Sequence, residues 1–433
     1  MNAISSLDSE SLLIEGGTRL EGAVRISGSK NASLPILIAS LLTSERCTLK
    51  EVPDLLDTKT MRELLESLGA TLNIAGKLWE IDPSGVNSFQ TPEEPVRKMR
   101  ASVLAMGPLL ARFKKALVAM PGGCSIGVRG IDQHLKVFQL SGANINISHG
   151  YISLEAKILK PVEYTFEVIT VTGTENALML LSACEGQSVL KNVALEPEVI
   201  DLAKVLCSMG AEIYFEGRTA LIKGSEYLRG FDHTLIPDRI EAGTLAVASH
   251  LTGGDVLLLG ANPEHMHAVL EKLAECGAKI SILKDAIRIS SEGITKPLEI
   301  ATEEYPGFPT DMQAQFTTLC SIAPGDSKIT ENIFENRFQH VAELQRMGAD
   351  IQVRSRTAYI KGKRALTGAE VYSTDLRASA SLVLAGLIAK GTTIVRDIYH
   401  LDRGYEALEV KLSSLGARIA RLRYSNQSGA FSL

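Results

Sequence analysis

The sequence lacks the motifs that mark several common classes of protein. Its six cysteines show no C-x-x-C spacing, and the chain has no G-x-x-x-x-G-K-[ST] loop and no convincing G-x-G-x-x-G unit after a strand. ATP and dinucleotide cofactors are therefore not indicated. The one close histidine pair, His265 and His267, would place its rings on different faces of a helix. We predict no metal site and no cofactor.

The sequence also lacks a cluster of like charges and a long run of apolar residues. The net charge is −5, with both signs spread along the 433 residues, so the basic surface that nucleic acids require is not expected. The longest uncharged apolar stretches are about half of the ~18 residues of a membrane span. Residues 1–10 are polar and acidic, unlike a signal peptide. We expect a cytoplasmic protein that binds neither nucleic acid nor membrane.

Cysteine usage separates one residue from the other five. Apolar patterns surround five cysteines, for which we predict burial in a reducing compartment: Cys47, Cys184, Cys207, Cys276 and Cys320. Cys124 instead lies in the glycine-rich stretch 121–127, ahead of a helix predicted to begin near Asp132. A turn cysteine without a role and a reactive thiol both fit this position. Arg129 and the nearby helix N-terminus are features that alter thiol acidity.

A Gly-Ala pair recurs six times and indicates a repeated module. The pairs begin, at intervals of 67 to 73 residues, at Gly69, Gly142, Gly210, Gly277, Gly348 and Gly416. An amphipathic helix pattern precedes each pair and an alternating strand pattern follows it, so glycine is predicted to end the helix. A period near 70 residues suits a strand-helix-strand-helix-strand-strand module.

A second helix in each module lacks the polar face of a surface helix. Examples are 33–42, 177–183, 242–251 and 379–389, which are rich in Ala, Ser and Leu. We predict that these helices are buried and that the sheets lie outside. The length favours two domains of three modules each.

Charged and polar residues recur at equivalent positions of the modules. The first turns of the buried helices carry Lys30, Asn31, Arg100, Asp311 and Arg377, and the loops before the amphipathic helices carry Asp57, Cys124, Arg129, Asp132, Arg337 and Arg403. Helix N-termini favour anions. If the cations converge, they form a pocket for a substrate with several phosphate or carboxylate groups. Ordinary capping and surface ion pairs remain the alternative for each single residue.

Two side chains could carry proton chemistry. Asp311 follows the turn 305–309 at a predicted helix start, where an aspartate commonly caps the helix. The same carboxylate could accept a proton from a substrate hydroxyl. Cys124 could donate a proton or form an adduct.

Seven motifs together resemble the UDP-N-acetylglucosamine 1-carboxyvinyltransferase family of enolpyruvyl transferases, over nearly the whole chain. They occupy residues 27–32, 99–102, 121–127, 305–315, 331–338, 375–380 and 400–405. The resemblance implies a two-domain inside-out α/β barrel with three modules per domain. We place the first domain at 30–237 and the second at 1–29 with 238–433.

The resemblance also implies an activity. Members transfer the enolpyruvyl group of phosphoenolpyruvate to the 3′-hydroxyl of UDP-GlcNAc, the first committed step of peptidoglycan precursor synthesis. The implied phosphoenolpyruvate-binding residues are Lys30, Asn31, Arg129, Arg337, Arg377 and Arg403. The implied UDP-GlcNAc-binding residues are Arg100, Arg129, Gly130, Ile131, Asp132, Gln133, Val171, Asp311 and Ile333. Cys124 would be the general acid and Asp311 the base, and relatives with this cysteine are inactivated by fosfomycin.

Two other functions compete with this one. An enolpyruvylshikimate phosphate synthase shares the fold and the donor, but it has serine at the position of Asn31 and lacks the glycine-rich cysteine loop. A non-catalytic sugar-nucleotide sensor would be expected to lose Cys124, Asp311 or Lys30, and all three are present. The sequence does not indicate an oligomeric state.

Overall fold

A computed structural model describes residues 10–120, 130–424 and 431–432. These residues form two compact units. The discontinuous unit contains 10–26, 237–424 and 431–432, and the inserted unit contains 27–120 and 130–236. Each unit has an apolar core of its own.

The strands are short, mostly of three to seven residues. In chain order they are β1 Ser11–Glu15, β2 Glu21–Arg25, β3 Cys47–Lys50, β4 Thr71–Ala75, β5 Leu78–Asp82, β6 Lys115–Ala119, β7 Asn144–Ser148, β8 Tyr151–Glu155, β9 Glu163–Thr165, β10 Gly186–Lys191, β11 Glu212–Glu216, β12 Thr219–Gly224, β13 Asp232–Thr234, β14 Asp255–Leu259, β15 Lys279–Leu283, β16 Ala286–Ser290, β17 Glu299–Ala301, β18 Asp326–Thr330, β19 Asp350–Arg354, β20 Thr357–Lys361, β21 Glu370–Tyr372, β22 Thr392–Arg396, β23 Arg418–Tyr424 and β24 Phe431–Ser432.

The helices alternate with these strands. They are α1 Lys30–Ala39, α2 Leu56–Ser67, α3 Glu93–Lys98, α4 Met106–Phe113, α5 Asp132–Leu140, α6 Val171–Ser182, α7 Pro197–Met209, α8 Arg239–Leu251, α9 His267–Glu275, α10 Gln313–Cys320, α11 His340–Arg346, α12 Leu376–Ile388, α13 Tyr399–Asp402 and α14 Leu408–Ser414. Short 3-10 segments at Arg100–Ala105 and Thr310–Met312 precede α4 and α10.

The sheets repeat one topology. In the order β9-β10-β12-β11, the leading strand pairs in parallel with the second, and the last two strands form an antiparallel hairpin. The order is the same in β2-β14-β16-β15 and in β17-β18-β20-β19. The module predicted from the Gly-Ala repeat is therefore present, and the predicted α/β fold class is confirmed.

Three sheets include a strand from a distant part of the chain. β2 leads the sheet of β14, and β1 pairs with both β22 and β23 as the fourth strand of the last module. β13, near the end of the inserted unit, leads the sheet of β3 at its start. The chain passes from one unit to the other just after β2 and just after β13, and each of these strands completes a sheet of its own unit.

Glycine ends the amphipathic helices as predicted. The six glycines of the Gly-Ala pairs have φ between 93° and 123°, a region that costs other residues conformational energy. The following alanine donates its N–H to the carbonyl five residues earlier, as Ala349 does to Leu344 at 3.0 Å. This is the Schellman pattern, which satisfies carbonyl groups that the helix end leaves free.

The second helix of each module is buried. α8, α10 and α12 pack on one another in the discontinuous unit, and in the inserted unit the segment Arg100–Ala105 packs against α1 and α6. Nearly all residues of these helices are inaccessible to solvent. Their first turns hold most of the predicted site residues.

One cysteine prediction is wrong. Cys47, Cys184, Cys276 and Cys320 are buried, but Cys207 is exposed on α7. Apolar residues occupy several faces of this helix, so the local pattern did not reveal that Cys207 points outward. Partial burial still raises the pKa of the Cys207 thiol, and Glu212 acts in the same direction.

Candidate functional site

Asp311 lies in the 3-10 turn before α10 and binds two arginines of the discontinuous unit. Its Oδ1 accepts a hydrogen bond from Nη2 of Arg337 at 2.7 Å, and its Oδ2 accepts one from Nη2 of Arg377 at 2.8 Å. The arginine side chains are 4% and 3% exposed, whereas that of Asp311 is 25% exposed. Asp311 is therefore the most exposed side chain of this cluster, and each arginine shows only a small part of its surface.

The charges of this cluster fix its protonation state. Burial raises the pKa of Asp311, but the guanidinium groups of Arg377 and Arg337 outweigh it and hold that pKa well below its usual range. Asp311 is thus ionised at neutral pH and able to accept a proton. The carboxylate also gives both buried guanidinium groups a charged partner, which lowers the cost of their burial.

Asp311 does not cap a helix, as its alternative role required. Pro309 stands at the N-cap of the 3-10 turn and Met312 at that of α10, and neither end has a capping side-chain hydrogen bond. The side chain of Asp311 is occupied by the two arginines instead. The prediction that Asp311 caps a helix is therefore wrong. Its possible role as a proton acceptor is not affected by this finding.

A buried polar network supports Arg377. Its guanidinium lies 5.4 Å from the ring centroid of Tyr405. The Tyr405 hydroxyl is 2.9 Å from Oγ1 of Thr244, and Nε2 of Gln315 contacts both hydroxyls and the carbonyl of Asp311. The sequence analysis gave these side chains no role, because they come from distant parts of the chain that only the fold brings together.

Arg403 and Ile333 belong to the same unit. Arg403 follows α13 and is half-buried, and its charge lowers the pKa of His400 after the larger effect of burial. Ile333 is half-buried in the loop after β18, from which Arg337 also projects. The predicted residues of the discontinuous unit thus lie on the loops and first turns that follow its strands.

In the inserted unit, Lys30 forms a buried ion pair. Lys30 begins α1 after the N-cap Ser29, and its Nζ lies 3.0 Å from Oδ2 of Asp57 at the start of α2. The two side chains are 13% and 4% exposed. Asn31 is half-buried in the same first turn. The ammonium group is thereby held at a helix N-terminus, where an anionic ligand is favoured.

Two predicted UDP-GlcNAc segments lie next to each other in this unit. The Gln133 side chain accepts from the N–H of Glu167 at 2.7 Å and donates to the carbonyl of Val168 at 3.2 Å. This joins the segment 130–133 to the residues that precede Val171, the first residue of α6. Gly130 and Asp132 are exposed, and Ile131 and Val171 are half-buried.

His134 lies beside this region and contacts two residues of α6. It is buried between Thr172, 3.3 Å from its Nε2, and Asn176, 3.1 Å from its Nδ1. Burial, with a smaller effect of Arg100, lowers its pKa to about 3. Arg100 itself is half-buried in the 3-10 segment before α4.

A second buried carboxylate in the discontinuous unit was not predicted as a site. Glu241 on α8 forms an ion pair with Lys411 on α14. Burial raises the pKa of Glu241 to about 7, although the ammonium of Lys411 acts in the opposite direction. The pair links two helices of different modules, and its charge state changes near neutral pH.

Cys124 and Arg129 lie outside the described residues. Within the described ranges, no group of three or more His, Cys, Asp or Glu side chains could hold a metal ion. Across the same ranges, every helix is too short or too polar to span a bilayer.

Two solved structures share this architecture with the chain. The structure of the enolpyruvyl transferase NikO from Streptomyces tendae matches with a TM-score of 0.87 and 26% identity, over 97% of this chain and 100% of that one. EPSP synthase from Acinetobacter baumannii matches with a TM-score of 0.74 and 17% identity, over 95% and 99% of the two chains, and supports the fold alone. The fold is thus that of the two-domain α/β transferases.

Sequence comparison defines the family. The family model of EPSP synthase (3-phosphoshikimate 1-carboxyvinyltransferase) matches residues 14–412. Relatives described as UDP-N-acetylglucosamine 1-carboxyvinyltransferase, from Myxococcus xanthus and Geotalea uraniireducens, are 50% and 49% identical to this chain. The alignments cover 95% and 96% of this chain and 99% and 100% of the relatives. The chain belongs to this family of carboxyvinyltransferases.

Proposed function

We propose that this protein transfers the enolpyruvyl group of phosphoenolpyruvate to the 3′-hydroxyl of UDP-GlcNAc and releases phosphate. The observation that carries the proposal is the ionised Asp311 held by two buried arginines, in a chain that shares half its residues with relatives named for this activity. The product would enter peptidoglycan precursor synthesis.

The residue roles are part of the proposal. Lys30, Asn31, Arg129, Arg337, Arg377 and Arg403 bind phosphoenolpyruvate. Arg100, Arg129, Gly130, Ile131, Asp132, Gln133, Val171, Asp311 and Ile333 bind UDP-GlcNAc. Cys124 donates a proton and Asp311 accepts one. The hydrogen bonds of Gln133, which join 130–133 to the segment before Val171, support the second set.

The reaction is an addition followed by an elimination. Cys124 protonates the methylene carbon of phosphoenolpyruvate, and the adjacent carbon becomes an oxocarbenium-like centre. The 3′-oxygen of the sugar bonds to that centre while Asp311 takes the hydroxyl proton. The Cys124 thiolate then takes a proton back from the new methyl group, and cleavage of the C–O bond to phosphate restores the double bond. Fixed cations stabilise the phosphate and carboxylate charges throughout.

The arginine pair gives Asp311 a way to gain basicity. In the structure both guanidinium groups lower its pKa. A substrate phosphate or carboxylate that shares Arg337 and Arg377 would weaken their hold on Asp311, and its pKa would rise toward that of a useful base. Donor binding would thus prepare the acceptor of the sugar proton.

Phosphate release provides the test. The purified protein should release one phosphate per phosphoenolpyruvate only when UDP-GlcNAc is present, and the sugar nucleotide should gain the mass of an enolpyruvyl group. Shikimate 3-phosphate in place of UDP-GlcNAc is the control for the shikimate-type alternative. Turnover with shikimate 3-phosphate alone would replace the proposal by that alternative, and binding of UDP-GlcNAc without turnover would favour the sensor.

We extend the proposal to domain limits and location. We assign the domains to 30–237 and to 1–29 with 238–433, which the two compact units support. We also propose a cytoplasmic location, where phosphoenolpyruvate is available. The free, buried thiols of Cys47, Cys184, Cys276 and Cys320 support a reducing compartment.

A further inference from the structure

Glu331 is a fully buried carboxylate that follows β18 and has no role in the reaction described above. Its Oε1 accepts hydrogen bonds from the hydroxyl of Thr302 at 2.9 Å and from the N–H groups of Ile333 and Phe334 at 2.9 and 3.0 Å. Its Oε2 accepts one from the hydroxyl of Thr310 at 2.8 Å. Both oxygens therefore serve as acceptors, and all four donors are uncharged groups.

The Thr310 contact continues to the proton acceptor. Because its hydroxyl proton points to Glu331, the Thr310 oxygen presents its lone pairs to Nη1 of Arg337, which donates to it at 3.0 Å. Nη2 of the same guanidinium donates to Oδ1 of Asp311 at 2.7 Å. A planar guanidinium held at both nitrogens has a fixed orientation. The chain of contacts thus runs from Glu331 through Thr310 and Arg337 to Asp311.

The other oxygen of Glu331 organises the loop that follows. Its bonds to two successive N–H groups fix the backbone at Ile333 and Phe334. The Phe334 ring in turn lies 5.3 Å from the guanidinium carbon of Arg337. One carboxylate therefore joins a proposed sugar-nucleotide contact, Ile333, to the group that accepts the sugar proton.

We propose that Glu331 and Thr310 are positioning residues of the transferase: they hold Arg337 so that Asp311 faces the substrate hydroxyl, and they tie this geometry to the loop of Ile333. The inference rests on the proposed function. A positioning role is favoured because a simple structural anchor would not need Thr310 to orient Arg337, and a misplacement of about 1 Å at a reacting group costs up to about 10²-fold in rate.

Variants at Thr310 test the proposal. Thr310→Val keeps the shape but removes the hydroxyl that accepts from Nη1 of Arg337, so kcat should fall by about 10-fold. The KM for UDP-GlcNAc should change little, since Glu331 still holds Ile333 through its other oxygen. Thr310→Ser restores the hydroxyl and should return kcat to near the wild-type value. A Thr310→Val enzyme with wild-type kcat, or a Thr310→Ser enzyme as slow as it, would overturn the proposal.

Thr318→Val provides the matched control. Thr318 is a buried threonine on α10 whose hydroxyl donates to the carbonyl of Ser381 at 3.0 Å. Its replacement removes one buried hydrogen bond, against two in Thr310→Val, so it should also lower the melting temperature, but by less. It should leave kcat unchanged. An equal loss of kcat in both variants would mean that lost stability, and not lost position, slows the enzyme, and would overturn the proposal.

Glu331→Gln gives a second, independent arm. An amide has only one acceptor oxygen. If that oxygen faces Thr302, Ile333 and Phe334, it keeps three hydrogen bonds. The NH₂ group then faces Thr310 and cannot accept from its hydroxyl. The variant should therefore share the kinetic defect of Thr310→Val, and wild-type kinetics in it would contradict the inference. If the wild-type protein releases phosphate with UDP-GlcNAc but these variants behave like Thr318→Val, the inference alone fails. A wild-type protein without this activity overturns the proposed function and the inference with it.

Discussion

Nη2 of Arg377 lies 2.8 Å from Oδ2 of Asp311, and the side chain of this arginine is almost completely buried. The residue proposed to accept a proton is therefore also the counterion of a buried cation. In the proposed mechanism, catalysis and stability therefore depend on the same carboxylate of the discontinuous unit.

Asp311→Asn should impair both properties. Turnover should fall by about 10² to 10⁴, because the amide cannot accept the hydroxyl proton. The unfolding free energy should fall by about 2 kcal/mol, since both guanidinium groups lose a charged acceptor and one of them loses its acceptor atom. Steady-state phosphate release and urea denaturation measure the two effects. Near-normal turnover would remove Asp311 from the mechanism, and an unchanged stability would mean that the arginines find other partners.

Asp57→Asn should weaken the binding of phosphoenolpyruvate. The carboxylate holds Nζ of Lys30 at 3.0 Å, and without its charge the ammonium loses its fixed position at the start of α1. The KM for phosphoenolpyruvate should rise by about 10-fold, while the KM for UDP-GlcNAc should change much less. Lys59→Gln is the control, because Lys59 forms an exposed ion pair on α2 with Asp54. Equal kinetics in the two variants would argue against this role of Asp57.

Lys411→Met should destabilise the protein more at pH 8 than at pH 5.5. The pKa of Glu241 is raised to about 7 in the folded state, against about 4.3 in an unfolded chain. Protonated Glu241 therefore contributes to the free energy of unfolding. This contribution is complete below the pKa of the unfolded chain and is lost as pH rises through about 7, the pKa in the folded protein. Without Lys411 the charged form has no cation beside it, so the additional loss at pH 8 should be about 2 kcal/mol.

Urea denaturation at the two pH values measures this difference. The double variant Glu241→Gln/Lys411→Met should lose most of the dependence, because the group that titrates is gone. An equal loss at both pH values in the single variant would show that Glu241 does not change its charge in this range.

Fosfomycin should form an adduct at Cys124 alone. Cys207 is the exposed cysteine among the described residues, but the pKa of its thiol is raised, so its reactive thiolate is scarce. Cys207→Ser should therefore react as the wild type does, and Cys124→Asp, which keeps a proton donor, should stay active and escape the drug. Peptide mass mapping locates the adduct. Modification of Cys207, or a drug-sensitive Cys124→Asp enzyme, would exclude this assignment.

Gly348→Ala should lower stability without a change in catalysis. Gly348 has φ 93° and open space around the position of a β-carbon. The cost is therefore conformational, about 1 kcal/mol. Gly348→Asn should cost less, since asparagine adopts positive φ more readily. Melting curves and phosphate release check both parts, and an equal loss in the two variants would point to a packing cause instead.

Local sequence patterns predicted the module well. Glycine adopts positive φ easily, so the Gly-Ala pairs predicted where the amphipathic helices end. A helix without charged residues has no polar surface for water, so its composition predicted burial. Asp311 was found for a similar reason, because its motif is continuous in sequence. Cys207 was misjudged because apolar residues on several faces of α7 hide which one faces outward.

Contacts between distant residues could not be predicted in the same way. Glu331 depends on hydroxyl groups 21 and 29 residues away, and Tyr405 contacts a hydroxyl 161 residues away. The parallel pairing of β13 with β3 joins the two ends of the inserted unit. Nothing in the residues themselves distinguishes these partners from many similar threonines and short strands.

The pairing of β1 with β22 and β23 has a consequence for synthesis on the ribosome. β1 emerges long before its partners, which lie between Thr392 and Leu422. The inserted unit can complete its own sheets once residue 236 has emerged. β1 must therefore wait for strands that are made much later, and a ribosome that stalls before β22 leaves β1 with both edges open to other polypeptides.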